Sequence, residues 1–169
     1  MKNLSLVTCL TVLFITSVPV HALAAGKINV DPCGLMPFNE VADAFPVVKK
    51  TSHRNYGTGK ACNYLNKRGF TALMVSIGQD SKSSAREMMS NLGDGYTVKD
   101  VSGLGYEAAM AVTEPDPQLA IPGGLVTELY IKKGNSYLLL APVSIQIKDS
   151  GPEFEKLLSV ARGMLKNLP

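Results

Sequence analysis

Residues 125–143 read LVTELYIKKGNSYLLLAPV. Two runs rich in aliphatic and aromatic residues flank Gly134-Asn135, a dipeptide that tolerates the positive φ angles of tight turns. This predicts a hairpin of 125–133 against 136–143. Within the second arm, residues 137–141 (YLLLA) are apolar at every position instead of every other one. A strand that is apolar toward both faces has both faces covered, so this arm is expected to be a central strand. Pro142 lacks an amide hydrogen, and the ladder should loosen there.

Upstream, 61–66 and 70–77 read as a second hairpin around Lys67-Arg68-Gly69, and strand signals return at 96–101 and 106–112. The segment Glu114-Pro115-Asp116-Pro117 forces a loop. The stretch 49–60, KKTSHRNYGTGK, is polar and glycine-bearing and is expected to be a hairpin connection or exposed loop.

Helical spacing marks three further stretches. Phe38, Val41, Ala42 and Phe45 predict a short helix over 37–45, stopped by Pro46. Ser84 and Glu87 form a capping box for a helix over 84–92 with Ala85, Met88, Met89 and Leu92 on one face, ended by Gly93. Ser150 and Glu153 predict another box, opening a helix whose apolar face is Phe154, Leu157, Leu158, Ala161, Met164, Leu165 and Leu168. The fold class expected is α+β: a mostly antiparallel sheet of six or seven strands, with two or three helices covering one face and one disulfide.

The first residues, MKNLSLVTCLTVLFITSVPVHALAA, carry one lysine, an apolar stretch and a small-x-small ending at Ala22-Leu23-Ala24. That is the pattern of a secretory signal over residues 1–24, cut after Ala24 or Ala25, leaving one α+β domain over 25–169. An uncleaved anchor helix is the alternative, at the lower edge of spanning length. The expected location is periplasmic or secreted. Loss of Lys2 from the 17 basic residues leaves 16 against 14 acidic, too even a balance to argue for nucleic acid or an anionic membrane surface. No membrane span is expected after cleavage.

Cys9 leaves with the signal, so the mature chain holds Cys33 and Cys62. In an oxidising compartment the two are expected to pair, a free pair being the alternative.

No constellation of residues specifies a reaction. His53 is the single histidine after the signal is removed, and it sits among Lys, Arg and Asn, a setting typical of a solvated loop. Gly57-Thr58-Gly59-Lys60-Ala61 fails as a phosphate loop, with Arg54 where a glycine is needed and Ala61 where a magnesium-binding hydroxyl is needed. Gly103-Leu104-Gly105-Tyr106-Glu107-Ala108 fits the dinucleotide fingerprint by letter, yet the run to Pro115 is too short for the required helix, so a turn between strands is expected. Asp94, Asp100, Glu114 and Asp116 do not follow a calcium-loop spacing. Met36, Met74, Met88, Met89, Met110 and Met164 are scattered on apolar faces and read as core filler. Catalytic, cofactor-binding and metal-ligating residues are therefore assigned to none.

Taken in order, Asp31-Pro32-Cys33-Gly34-Leu35-Met36, Glu40-Val41, Cys62-Asn63-Tyr64, Gly103-Leu104-Gly105, a Lys-Gly-Asn hairpin and a closing amphipathic helix resemble a widespread family of small exported bacterial proteins of unknown function, many of them lipid-anchored. The resemblance implies a Cys33–Cys62 disulfide and no catalytic residue. No lipobox cysteine stands at the signal junction, so a tether does not carry over.

The function expected is a non-enzymatic binding module of the bacterial envelope, holding a small apolar ligand or a protein partner between sheet and helices. Two alternatives stand beside it. One is an inhibitor or accessory subunit acting through an edge strand or the 114–124 loop. The other is an enzyme using His53, Asp94, Glu114 and Asp116.

Overall fold

The computed structural model describes residues 29–56, 59–80, 82–118 and 120–169. The expected export signal lies outside them. A short 3-10 turn, Pro32–Gly34, leads into α1 (Phe38–Ala44), β1 (Lys50–Tyr56), β2 (Gly59–Leu65), β3 (Thr71–Gln79), α2 (Ala85–Ser90), β4 (Tyr96–Asp100), β5 (Glu107–Thr113), β6 (Val126–Lys133), β7 (Ser136–Pro142) and α3 (Pro152–Asn167).

The strands form one antiparallel sheet of order β1-β2-β3-β7-β6-β5-β4. It consists of two meanders, β1 to β3 and β4 to β7, stitched together where β7 returns beside β3. The YLLLA arm is thus the middle strand of seven and ends at Pro142, as its composition requires. Its hairpin closes on Lys133 opposite Ser136, and in the turn only Gly134 takes a positive φ, 61°; Asn135 does not.

Helices lie on both faces of the sheet, not on one. Along β5, Ala108, Met110 and Val112 join the main core, while Ala109 and Ala111 join a second cluster with Ala85 and Met89 of α2 and Tyr130 of β6. The alternation of a strand sends neighbours to opposite faces. Two alanines side by side leave the second face shallow enough for α2 to lie on it.

The main face carries α1 and α3. Phe154, Leu157, Leu158, Val160, Ala161, Met164 and Leu165 of α3 are buried against Leu129, Ile131, Leu138 and Leu140 of the central strands. Gly163 lets Met36 close on the helix: a Cβ there would stand 3.0 Å from the Met36 methyl. Asn167 Nδ2 donates to the Leu35 carbonyl at 2.9 Å, joining the two ends of this layer.

Local chemistry accounts for the remaining elements. Both bonds of the Ser84–Glu87 capping box are made, and Gly93 follows α2 at φ 89°. The Ser150–Glu153 box is not made. Pro152 takes the first helical position, where its missing amide costs nothing, so Gly151 becomes the N-cap and Glu153 pairs with Lys156 instead. The polar stretch expected to be a loop contributes β1, an edge strand paired along its length with β2. Charged side chains on an outer strand discourage pairing with another chain, and this hides the strand from a hydrophobicity reading.

Cys33 and Cys62 are joined by a disulfide that ties the 3-10 turn to β2 across 29 residues. No helix among the described residues is long and apolar enough to cross a membrane.

Candidate functional site

Three places concentrate polar chemistry. The first surrounds the disulfide. The β1–β2 register sets His53 opposite Cys62, so the imidazole shares a face with the buried sulfur. Asp31, at the cap of the 3-10 turn, accepts from the Cys33 amide at 2.9 Å. Its two oxygens lie 3.0 and 3.1 Å from His53 Nε2. A carboxylate only accepts, so Nε2 carries the hydrogen. Partial burial alone would raise the Asp31 carboxyl; the bonds from His53 and Cys33 outweigh it and hold the group below the usual carboxylate value.

One ligand atom each from Asp31, Cys33 and His53 lies within 4.8 Å of the others. In the oxidised protein the Cys33 sulfur is spent in the disulfide and offers no thiolate, which leaves a His–Asp pair at the surface. Just inward, the Tyr64 hydroxyl is fully buried and makes no hydrogen bond among the described residues. Burial, with the negative charge of Asp31 adding to it, pushes this phenol up to about 12.

The second place is a depression of about 210 Å³ beside the C-terminal half of α3, lined by Leu104, Tyr106, Arg162, Leu165 and Lys166. Gly103 and Gly105 take φ of 81° and 76°, and between them Leu104 turns inward to become the apolar floor. The residues after them enter β5 and not a helix, as a turn between strands requires. Arg162 Nε donates to the Gly103 carbonyl at 3.2 Å. Lys133 donates to the carbonyls of Leu165 (3.0 Å) and Leu168 at the end of α3, and its ammonium stands 5.7 Å from the Tyr106 ring centre. Tyr106 is 42% exposed.

The third place is the loop between β5 and β6. Asp116 and Ile121 exchange backbone hydrogen bonds at 3.0 and 2.9 Å, and Thr113 Oγ1 donates to the Pro122 carbonyl at 2.7 Å. Gly123 packs against Pro115 with no room for a side chain. Ala120, at φ 52°, is the single non-glycine at positive φ among the described residues, and Ile121 beside it is 38% exposed.

Of the residues in the enzyme alternative, His53 stands apart from Glu114. His53 lies on β1 at one edge of the sheet, while Glu114 accepts from Thr97 of β4 and its amide bonds Gly95, at the other edge. Six strand spacings separate these edges, about 29 Å. Asp100 pairs with Arg86 through two hydrogen bonds. Of the six methionines expected to fill the core, Met36, Met89, Met110 and Met164 are buried in it and Met88 packs half-buried against the second cluster, while Met74 is half-buried and belongs to neither cluster. On β6, Glu128 is half-buried and burial raises its carboxyl, a feature its sequence neighbours do not signal.

Comparison with known protein families, with curated proteins and with solved structures finds no match to this chain.

Proposed function

We propose that the protein is exported and works outside the cytoplasm, in a periplasm or after release, as a non-enzymatic binding module of the bacterial envelope whose partner is another protein. The depression beside α3 carries this reading. A half-exposed tyrosine and two cations stand over an apolar floor, with no carboxylate among the lining residues. Tyrosine and arginine over an apolar base are the makings of a binding hot spot, and the charge favours a partner segment with acidic residues beside an apolar one.

A small apolar ligand between sheet and helices is the weaker form of the reading. The space it would use is filled by Val41, Leu157, Ala161 and Met164, all fully buried. The disulfide supports an exported protein, since such bonds persist in oxidising compartments. The resemblance to exported bacterial proteins belongs to the same proposal.

A photoreactive phenylalanine analogue at position 106, activated in intact expressing cells, tests it. The expected result is a discrete protein adduct that disappears in an Arg162→Glu, Lys166→Glu double variant of unchanged melting temperature. Adducts forming instead from position 121, and not from 106, favour the inhibitor or accessory-subunit reading, which rests on Ala120 and Ile121 at the loop tip. Adducts at neither position end both.

A further inference from the structure

The disulfide is surrounded by the remaining ligands of a tetrahedral metal site. We propose that the reduced form of this protein binds one zinc ion through Cys33, Cys62, His53 and Asp31, replacing the covalent staple with a coordinate one.

The geometry comes from three separate elements. Cys33 and Asp31 belong to the 3-10 turn and its cap, Cys62 to β2, and His53 to the paired position on β1. The Cys33 sulfur, a carboxylate oxygen of Asp31 and His53 Nε2 fall within 4.8 Å of one another, and the Cys62 sulfur is one bond from the Cys33 sulfur. Zinc–ligand bonds of roughly 2.0 to 2.3 Å place the ligands of a tetrahedron about 3.3 to 3.8 Å apart. The His53–Asp31 separation of 3.0 Å is already close to that edge. On reduction the two sulfurs are free to part to that edge by side-chain rotation.

The ligand set suits zinc: two thiolates, an imidazole nitrogen and a carboxylate oxygen. Reduction requires a dithiol or phosphine reductant. Two electrons and two protons convert the disulfide to two thiols: a dithiol gives both and becomes its own disulfide, whereas a phosphine gives the electrons and water supplies both protons and the oxygen of the phosphine oxide. Zinc then takes both sulfurs as thiolates, releasing two protons, and binds the neutral imidazole of His53 at Nε2, the ring's one proton passing to Nδ1. The Cys33 amide bond to Asp31 fixes the carboxylate from behind, the kind of support that orients a ligand toward its metal. Lys60 lies near enough to Asp31 to offset the site's net negative charge.

The test uses the purified chain, reduced with a phosphine that has no thiol of its own, and titrated with cobalt as a spectroscopic stand-in for zinc. The expected result is one equivalent bound, with a thiolate-to-metal charge-transfer band and the intense visible bands of a tetrahedral ion, both lost on adding zinc. The oxidised chain should show neither band. His53→Ala and Asp31→Ala, both at exposed positions that leave the oxidised fold intact, should each weaken cobalt binding by 10-fold or more. Circular dichroism recorded in parallel covers the case in which reduction unfolds the chain; zinc should then restore the strand signal. Equal binding by the oxidised chain, wild-type affinity in His53→Ala, or a reduced chain that zinc neither binds nor refolds overturns the proposal.

Discussion

Gly78 of β3 lies directly beneath the ring of Tyr137 on β7, its partner across the ladder. The Tyr137 ring is held there by stacking on Tyr130, with centres 5.1 Å apart. A Cβ on Gly78 would fall inside the contact distance of two ring carbons and the hydroxyl oxygen. Gly78→Ala should therefore lower the unfolding free energy by about 1 to 3 kcal/mol in urea denaturation, and the loss should shrink when Tyr137 is also replaced by leucine.

Tyr64→Phe should be neutral or stabilising, by up to about 1 kcal/mol. The hydroxyl removed is buried and makes no hydrogen bond among the described residues, so its desolvation is uncompensated. The wild type should also lose stability above pH 10. There the unfolded phenol ionises while the folded one holds its proton to about 12, so the unfolded state binds fewer protons. The variant lacks this share of the alkaline loss; Tyr130, also raised by burial, retains its own.

At the acid end the sign reverses. The folded carboxyl of Asp31 titrates below the ordinary aspartate value, so its contribution is fully present above that value and is lost as pH falls through the folded one. Asp31→Asn should flatten the stability profile below about pH 4. Unfolding midpoints from pH 2 to 7 check this, and identical profiles would count against the His53–Asp31 bond.

Loss of the disulfide, through a Cys33→Ala, Cys62→Ala pair, should lower stability by about 3 to 4 kcal/mol, the chain-entropy value for a loop of this length. An unchanged urea midpoint would mean that the denatured chain is already constrained near these positions.

Most of the architecture was legible where side chains repeat with a strand or helix period. YLLLA announced the central strand, and Ser84 with Glu87 announced α2. β1 was not legible, because an edge strand takes its stability from backbone pairing and presents Lys50, His53 and Arg54 to solvent. The second covered face was encoded in Ala108 to Val112, buried without a gap; the expectation of helices on one face of the sheet concealed α2's docking surface.

The sites fared differently. His53 was visible as a lone histidine, but nothing in the sequence brings Asp31 to it from 22 positions away; that depends on the disulfide and the register of β1. The depression beside α3 combines Tyr106 with Arg162 and Lys166, residues more than fifty positions apart, and no local period connects them. Glycines flanking Leu104 were the available clue, and they were read correctly as a turn without showing what the turn exposes.

The clasp between Asn167 and the Leu35 carbonyl spans 132 positions and seals a layer whose roof, α3, follows every strand in the chain. All seven strands could pair as the chain emerges, yet their apolar side would stay wet until that helix arrives. The order of elements thus builds a vulnerable interval into every round of synthesis, and a partly emerged chain is a natural client for whatever shields greasy surfaces on its route.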